Sequence, residues 1–294
     1  MSDDHDQGGP QPMPPMPPPP AAGPEKWPAR YGLISAALGF IAAQFVIGLV
    51  AVFYLSLGGH THDSAFIMGA SILQDLVFVG TAIVVAGQSG RVRAVDFGLR
   101  RAPFWPTVGK LTAVALTYFV ALAIYSSIAH LTSDDTANDL GAGNSTFGMV
   151  GFVLMAAVVA PIAEEFFFRG MVFRALANGM GVVAAAVVSG VLFGALHIDS
   201  FSLDRLLQVV ALALLGVLFA LLYAWSGTLY STIALHATNN ALAVVVFASG
   251  RNSVVGVSLA ASAWLGMMIF CVNDWRLTDR DDAAPRATIA AGVP

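Results

Sequence analysis

Charge is what this chain has least of. Of its 294 residues, 11% are Asp, Glu, Lys or Arg and 57% are hydrophobic, whereas soluble domains carry about 25% charged residues. A soluble globular fold is excluded, and a mean hydropathy of +0.74 points to a protein embedded in a bilayer. Cysteine is nearly missing as well. Cys271 is the single one, which excludes an intrachain disulfide framework and any Cys-cluster metal centre. The net charge of -4 offers no basic surface, and so no reason to expect a nucleic-acid partner. The N-terminus (DDHDQ, then PMPPMPPPP) is acidic and proline-rich, the reverse of a cleavable signal peptide. Residues 1–26 read as a disordered tail with polyproline II character, and 276–294 as a second, polar tail. Between them, 27–275 reads as a transmembrane helical domain.

Long apolar runs are what the chain has most of. A bilayer crossing takes about 20 helical residues, and stretches of that order lie near 31–57, 65–87, 107–131, 147–176, 181–198, 204–225, 228–249 and 253–273. Strand-like alternation with a period of two is absent, which argues against a membrane β-barrel. No repeat of 20–50 residues is visible, nor the inverted halves of many transporters. The expected fold class is all-α: a polytopic membrane helix bundle of about eight transmembrane helices around a buried cavity.

Basic residues set the expected orientation. The segment GQSGRVRAVDFGLRRAPFWP carries Arg91, Arg93, Arg100 and Arg101, and basic residues also flank the first span (Lys26, Arg30) and the last (Arg276, Arg280, Arg286). The loop at 132–146 holds Asp134, Asp135 and Asp139 and no base. An even number of spans with both termini in the cytoplasm satisfies all of these, in a multi-pass protein of the plasma membrane. Trp27 and Trp105 are placed where interfacial anchors belong.

Against this background a few polar residues at membrane depth stand out, because each is expensive there. They are Gln44, Gln74, Asp75, Glu164, Glu165, Arg169, His197, His236, Asn239 and Asn240. The chain has only three glutamates, and two stand side by side in PIAEEFFFRG. Glu165 and Arg169 are four apart with the acid first, the favourable order for a helical ion pair. Glu164 is about 100° around the helix and freer. FGALH sets Phe193 and His197 four apart, and HATNN does the same for His236 and Asn240. Counted from a turn near Gly179–Gly181, Glu164 and His197 both lie roughly 25 Å along neighbouring helices. His236 is only some eight residues past the turn at Ser226–Gly227, so it is expected roughly 12 Å out of register unless a kink, such as one at Pro161, absorbs the difference. The small residues Ser189, Gly190, Gly194 and Ala195 suit close helix approach. Gln74 and Asp75 read as a packing or proton-linked pair outside the catalytic set.

EEFFFR, FGALH and HATNN resemble, in order and spacing, the motifs EExxxR, FxxxH and HxxxN of the CAAX protease and bacteriocin-processing family of intramembrane glutamic endopeptidases. The motif-bearing core covers about 147–247, and FGLRR before the third span is similar to that family's usual entry into the helix. The resemblance implies an intramembrane endopeptidase acting on a membrane-tethered peptide or protein. The family's substrates are prenylated CAAX C-termini in eukaryotes and, for many bacterial members, peptides. It implies Glu164 as general base on a water molecule with help from His197, and His236 and Asn240 as hydrogen-bond donors to the tetrahedral oxyanion. Glu165, Arg169 and Phe193 take structural and orienting roles, with no cofactor. Two other readings stand beside it. Glu164, His197 and His236 also make an acceptable zinc set, although HExxH is absent. A non-catalytic membrane immunity factor or scaffold is the third.

Overall fold

The structure, a computed structural model, describes residues 27–129, 146–198, 202–250 and 253–283. The N-terminal tail and the acidic loop at 132–146, apart from its last residue, lie outside the described residues. Each apolar run forms a helix. In chain order these are α1 (Ala29–Ser56), α2 (Ser64–Gly87) and α3 (Phe104–Ala129), then a long rod α4 described below. They continue with α5 (Val182–Ala195), α6 (Leu203–Ser226), α7 (Leu229–Gly250) and α8 (Val254–Ala283). A short 3-10 turn, Ala94–Phe97, sits between α2 and α3. No strand occurs among the described residues.

Seven of the helices are long and apolar enough to cross a bilayer. The eighth apolar stretch, expected to span 181–198, is helical only over 14 residues. At 1.5 Å per residue it reaches about 21 Å, short of a hydrocarbon core of about 30 Å. It stops where the polar sequence HIDS begins. At the other end of the chain α8 continues to Ala283, past the boundary at 276 expected for the polar tail.

The rod α4 is the axis of the bundle. It runs as α-helix through Thr146–Leu154, opens into a wide π turn at Met155–Val159, and returns to α-helix over Ala160–Glu165. It widens again over Phe166–Phe173 and ends as α-helix at Arg174–Met180. Pro161 accounts for the first widening: it has no N–H to give back to the preceding turn, and the ladder is interrupted there. Phe167, Phe168, Met171 and Val172 are fully buried on successive faces, the mark of a helix enclosed by protein on all sides. Phe167 stacks on Phe78 of α2 at 4.5 Å, and Phe168 meets Phe193 of α5 edge-on at 5.3 Å.

Two features set the depth of everything else. The first is the seam between α5 and α6. A Cβ added at Gly190 would meet Val217 N at 2.6 Å, and one at Gly216 would meet Gly190 Cα at 2.8 Å. Only glycine allows that approach.

The second is the segment Ala94–Arg101, which folds inward rather than lying on the surface. Phe97 is 2% exposed, stacked on Phe166 of α4 at 4.3 Å and packed against Trp27 at 5.0 Å. Gly98, at φ 94°, turns the chain so that its carbonyl accepts from Leu229 N–H at 2.8 Å. Arg100 Nε donates to the Gly227 carbonyl at 2.7 Å, and Thr228 Oγ1 donates to the Arg100 carbonyl at 2.6 Å. The turn between α6 and α7 therefore hangs from this segment. Trp27 is corrected by the same packing. It is 1% exposed and part of the core, where an interfacial anchor was expected, whereas Trp105 is exposed.

Candidate functional site

The three motifs meet. Glu164, Phe193, His197, His236, Asn239 and Asn240 line one cavity of about 260 Å³. α4 supplies the glutamates, α5 supplies Phe193 with His197 just beyond its end, and α7 supplies His236 and the asparagines.

His236 is the hinge of the arrangement. Its Nδ1 lies 2.9 Å from Glu165 Oε1, and its Nε2 lies 3.9 Å from Glu164 Oε2. A carboxylate only accepts, so the hydrogen of the first contact sits on Nδ1. Nε2 then faces Glu164 as a lone pair when the ring is neutral and as a second donor when it is an imidazolium. This corrects the register expected for His236, about 12 Å from the depth shared by Glu164 and His197. That expectation put the turn before α7 level with the turn at Gly181. The turn is recessed instead: Leu229 is bonded to Gly98, whose neighbour Phe97 abuts Gly170, with its carbonyl 3.1 Å from where a Gly170 Cβ would stand. Counted from that level, His236 and Glu165 are seven and five residues away, a mismatch of about 3 Å.

The same Glu165 oxygen has a second donor. Arg169 Nη1 donates to Glu165 Oε1 at 2.8 Å, and Nη2 donates to the Gly216 carbonyl at 3.0 Å. Both side chains are completely buried. The guanidinium lies 4.6 Å from the Phe193 ring and 5.0 Å from that of Phe219, so cation–π attraction adds to its fixation. Phe193 also stands edge-on to His236 at 5.8 Å. One aromatic ring thus touches both the arginine and the histidine.

His197 is half-buried, with Nδ1 3.0 Å from the Phe193 carbonyl. A carbonyl accepts, so the hydrogen is on Nδ1 and Nε2 is the acceptor of the neutral ring. Asn240 Nδ2 donates to the Ala156 carbonyl at 2.8 Å, inside the π turn whose ladder is disrupted. Its Oδ1 accepts from Asn239 Nδ2 at 3.1 Å. The Asn240 amide keeps one further hydrogen for a ligand.

The α2 side of the lining is Ser71, Gln74 and Asp75: the last two were read from the sequence as a packing or proton-linked pair outside the catalytic set, and Ser71 was not singled out. Their spacing, i, i+3 and i+4, was the available signal, since it puts them on one helical face. Gln44, also polar at membrane depth, is exposed on α1 away from this cavity. Among the described residues no three His, Cys, Asp or Glu side chains are grouped to share an ion. Nδ1 of both histidines is engaged by protein oxygen, which leaves Nε2 of each ring to face the cavity.

Comparison with known proteins falls on the same part of the chain. Residues 146–242 match the family described as Type II CAAX prenyl endopeptidase Rce1-like, and this stretch contains all three motifs. A protein of Bacillus subtilis (strain 168) named "Putative membrane peptidase YdiL" is 33% identical over 94 residues, 32% of this chain and 36% of that protein. The match therefore spans about a third of the relative's length. No solved structure matches the chain.

Proposed function

We propose that this protein is a metal-independent intramembrane endopeptidase that hydrolyses a peptide bond of a membrane-tethered peptide or protein, with Glu164 as general base. The observation that carries the reading is the convergence of Glu164, His197, His236 and Asn240, from three separate segments, on one cavity within the bundle.

Glu164 takes one proton of a water molecule whose other hydrogen is accepted in a hydrogen bond by His197 Nε2, and the resulting hydroxide attacks the scissile carbonyl. The oxyanion receives the remaining Asn240 N–H and, from the imidazolium form, His236 Nε2–H. Such donors act where charge develops in the transition state. The proton on Glu164 then passes to the leaving amine as the C–N bond breaks. Glu165 orients His236 through Nδ1, and Arg169 orients Glu165. The similarity to the Rce1-like family and to a protein named as a membrane peptidase supports the reaction class.

The test is comparative peptidomics of membranes from cells expressing the wild type or Glu164→Gln. The amide keeps the shape of the side chain and cannot take a proton, so products present with the wild type are expected to vanish from a variant that is still folded and inserted. Retention of those products would overturn the glutamate-base mechanism. A wild type that generates none would favour a non-catalytic role. Purified enzyme is expected to keep its activity in a strong chelator. Stoichiometric zinc, lost together with activity in His236→Ala, would replace the metal-free reading.

A further inference from the structure

The α2 wall of the cavity carries a carboxyl group that the mechanism above does not use. Asp75 is 3% exposed, and its Oδ2 has no hydrogen-bond partner among the described residues. It lies near the middle of α2, roughly 17 Å from either end of the helix, out of reach of lipid headgroups. The Ser71 hydroxyl one turn away donates to the Ile67 carbonyl at 3.0 Å. The cavity lining holds two carboxylates, Asp75 and Glu164, and neither lysine nor arginine. Arg169 lies behind the lining, turned toward Glu165 and the Gly216 carbonyl. The rest of the wall is largely apolar: Phe152, Met155, Leu212 and Leu215.

A carboxylate removed from water keeps its charge only when paired and hydrogen-bonded, and otherwise takes up a proton. Of the other buried ionisable groups here, Glu165 and Arg169 are paired with each other, and Glu164 faces His236 Nε2 at 3.9 Å. A long basic side chain fits what remains, because its alkyl stem covers apolar wall while its head carries the donors. We infer that Asp75 is a specificity-determining residue, receiving a lysine or arginine side chain of the substrate next to the scissile bond. The inference rests on the peptidase reading and narrows its substrate class to peptides with a basic residue at one fixed position from the cut.

The experiment uses the full chain. Membrane peptides are compared for wild type, Glu164→Gln and Asp75→Asn, and the best product is remade as synthetic peptides with Lys or Gln at the candidate position. Products that depend on Glu164 are expected to share a basic residue at a fixed distance from the cut. The wild-type preference for Lys over Gln, as a ratio of kcat/KM, is expected to fall about ten- to hundred-fold in Asp75→Asn, mainly through KM, and to recover in Asp75→Glu. Glu164-dependent products without a fixed basic position would overturn this inference and leave the peptidase reading standing. So would an unchanged ratio in an Asp75→Asn protein that melts like the wild type. If Asp75→Asn does not fold, equal cleavage of the Lys and Gln peptides by the wild type overturns the inference by itself. A complete lack of Glu164-dependent products would end both.

Discussion

Arg169 and Glu165 form an ion pair that is expensive where it stands. Both are fully buried, and Arg169 Nε and Glu165 Oε2 find no partner among the described residues. A buried pair satisfied only in part contributes less stability than apolar residues of the same volume would. Its use is positional, since Glu165 Oε1 accepts from both Arg169 and His236. Arg169→Ala strands Glu165 and is expected to cost about 3–5 kcal/mol, seen as a lower melting temperature in detergent together with lost activity. A variant that melts like the wild type and is inactive would give Arg169 a part in the chemistry. Asn240→Ala removes a donor that matters mainly in the transition state. Turnover is expected to drop on the order of 10²–10³-fold with little change in substrate binding. Because Asn240 also braces the Ala156 carbonyl, a thermal melt must accompany the kinetics.

Among the elements, α5 matters out of proportion to its 14 residues. Its glycine seam against α6 brings the Gly216 carbonyl within reach of Arg169, so helix contact and ion pair are one construction. Gly216→Ala puts a methyl 2.8 Å from Gly190 Cα, backbone that cannot yield without moving a helix. A loss of about 1–3 kcal/mol is expected, with activity falling in parallel. Gly80→Ala is the control: nothing lies within 4 Å of its added Cβ, and its melt is expected to match or exceed that of the wild type. The helices, the small-residue seam and the Glu165–Arg169 contact were legible in the sequence, because apolar length and i, i+4 spacing are local properties. The depth of His236 was not. It depends on Leu229 bonding to Gly98, well over a hundred residues away in the chain, and no periodicity encodes that. The place of Asp75 was half legible. Its helical face could be read, but which neighbour that face would meet could not.

For the whole molecule, the orientation expected from the arginines puts residues 88–106 in the cytoplasm. Ser89 is exposed just beyond α2. A cysteine placed there, with Cys271 replaced by serine, is expected to react with an impermeant thiol reagent only after the membrane is opened. Labelling of intact cells would invert the topology. Ser89 precedes α5 in the chain, so a second cysteine beyond α8 is needed to show whether both termini share one face, which they do only if α5 with its flanking residues completes a passage.

The inward-folded segment at 94–101 has a consequence for life in real membranes. Bilayers differ in thickness, and helices commonly adjust by tilting or sliding. In this protein the vertical position of His236 is referred to the Gly98 carbonyl and Arg100, parts of the same molecule, and not to the lipid surface. Alignment of His236 with the two glutamates is therefore expected to survive changes in acyl-chain length. Activity in vesicles of short- and long-chain phosphatidylcholine should be nearly equal for the wild type. Thr228→Val, which deletes the hydroxyl donor to the Arg100 carbonyl, should make the same protein sensitive to thickness. The tether works as an internal ruler, one that lets the proposed peptide-cleaving site keep its calibration in whichever membrane it is placed.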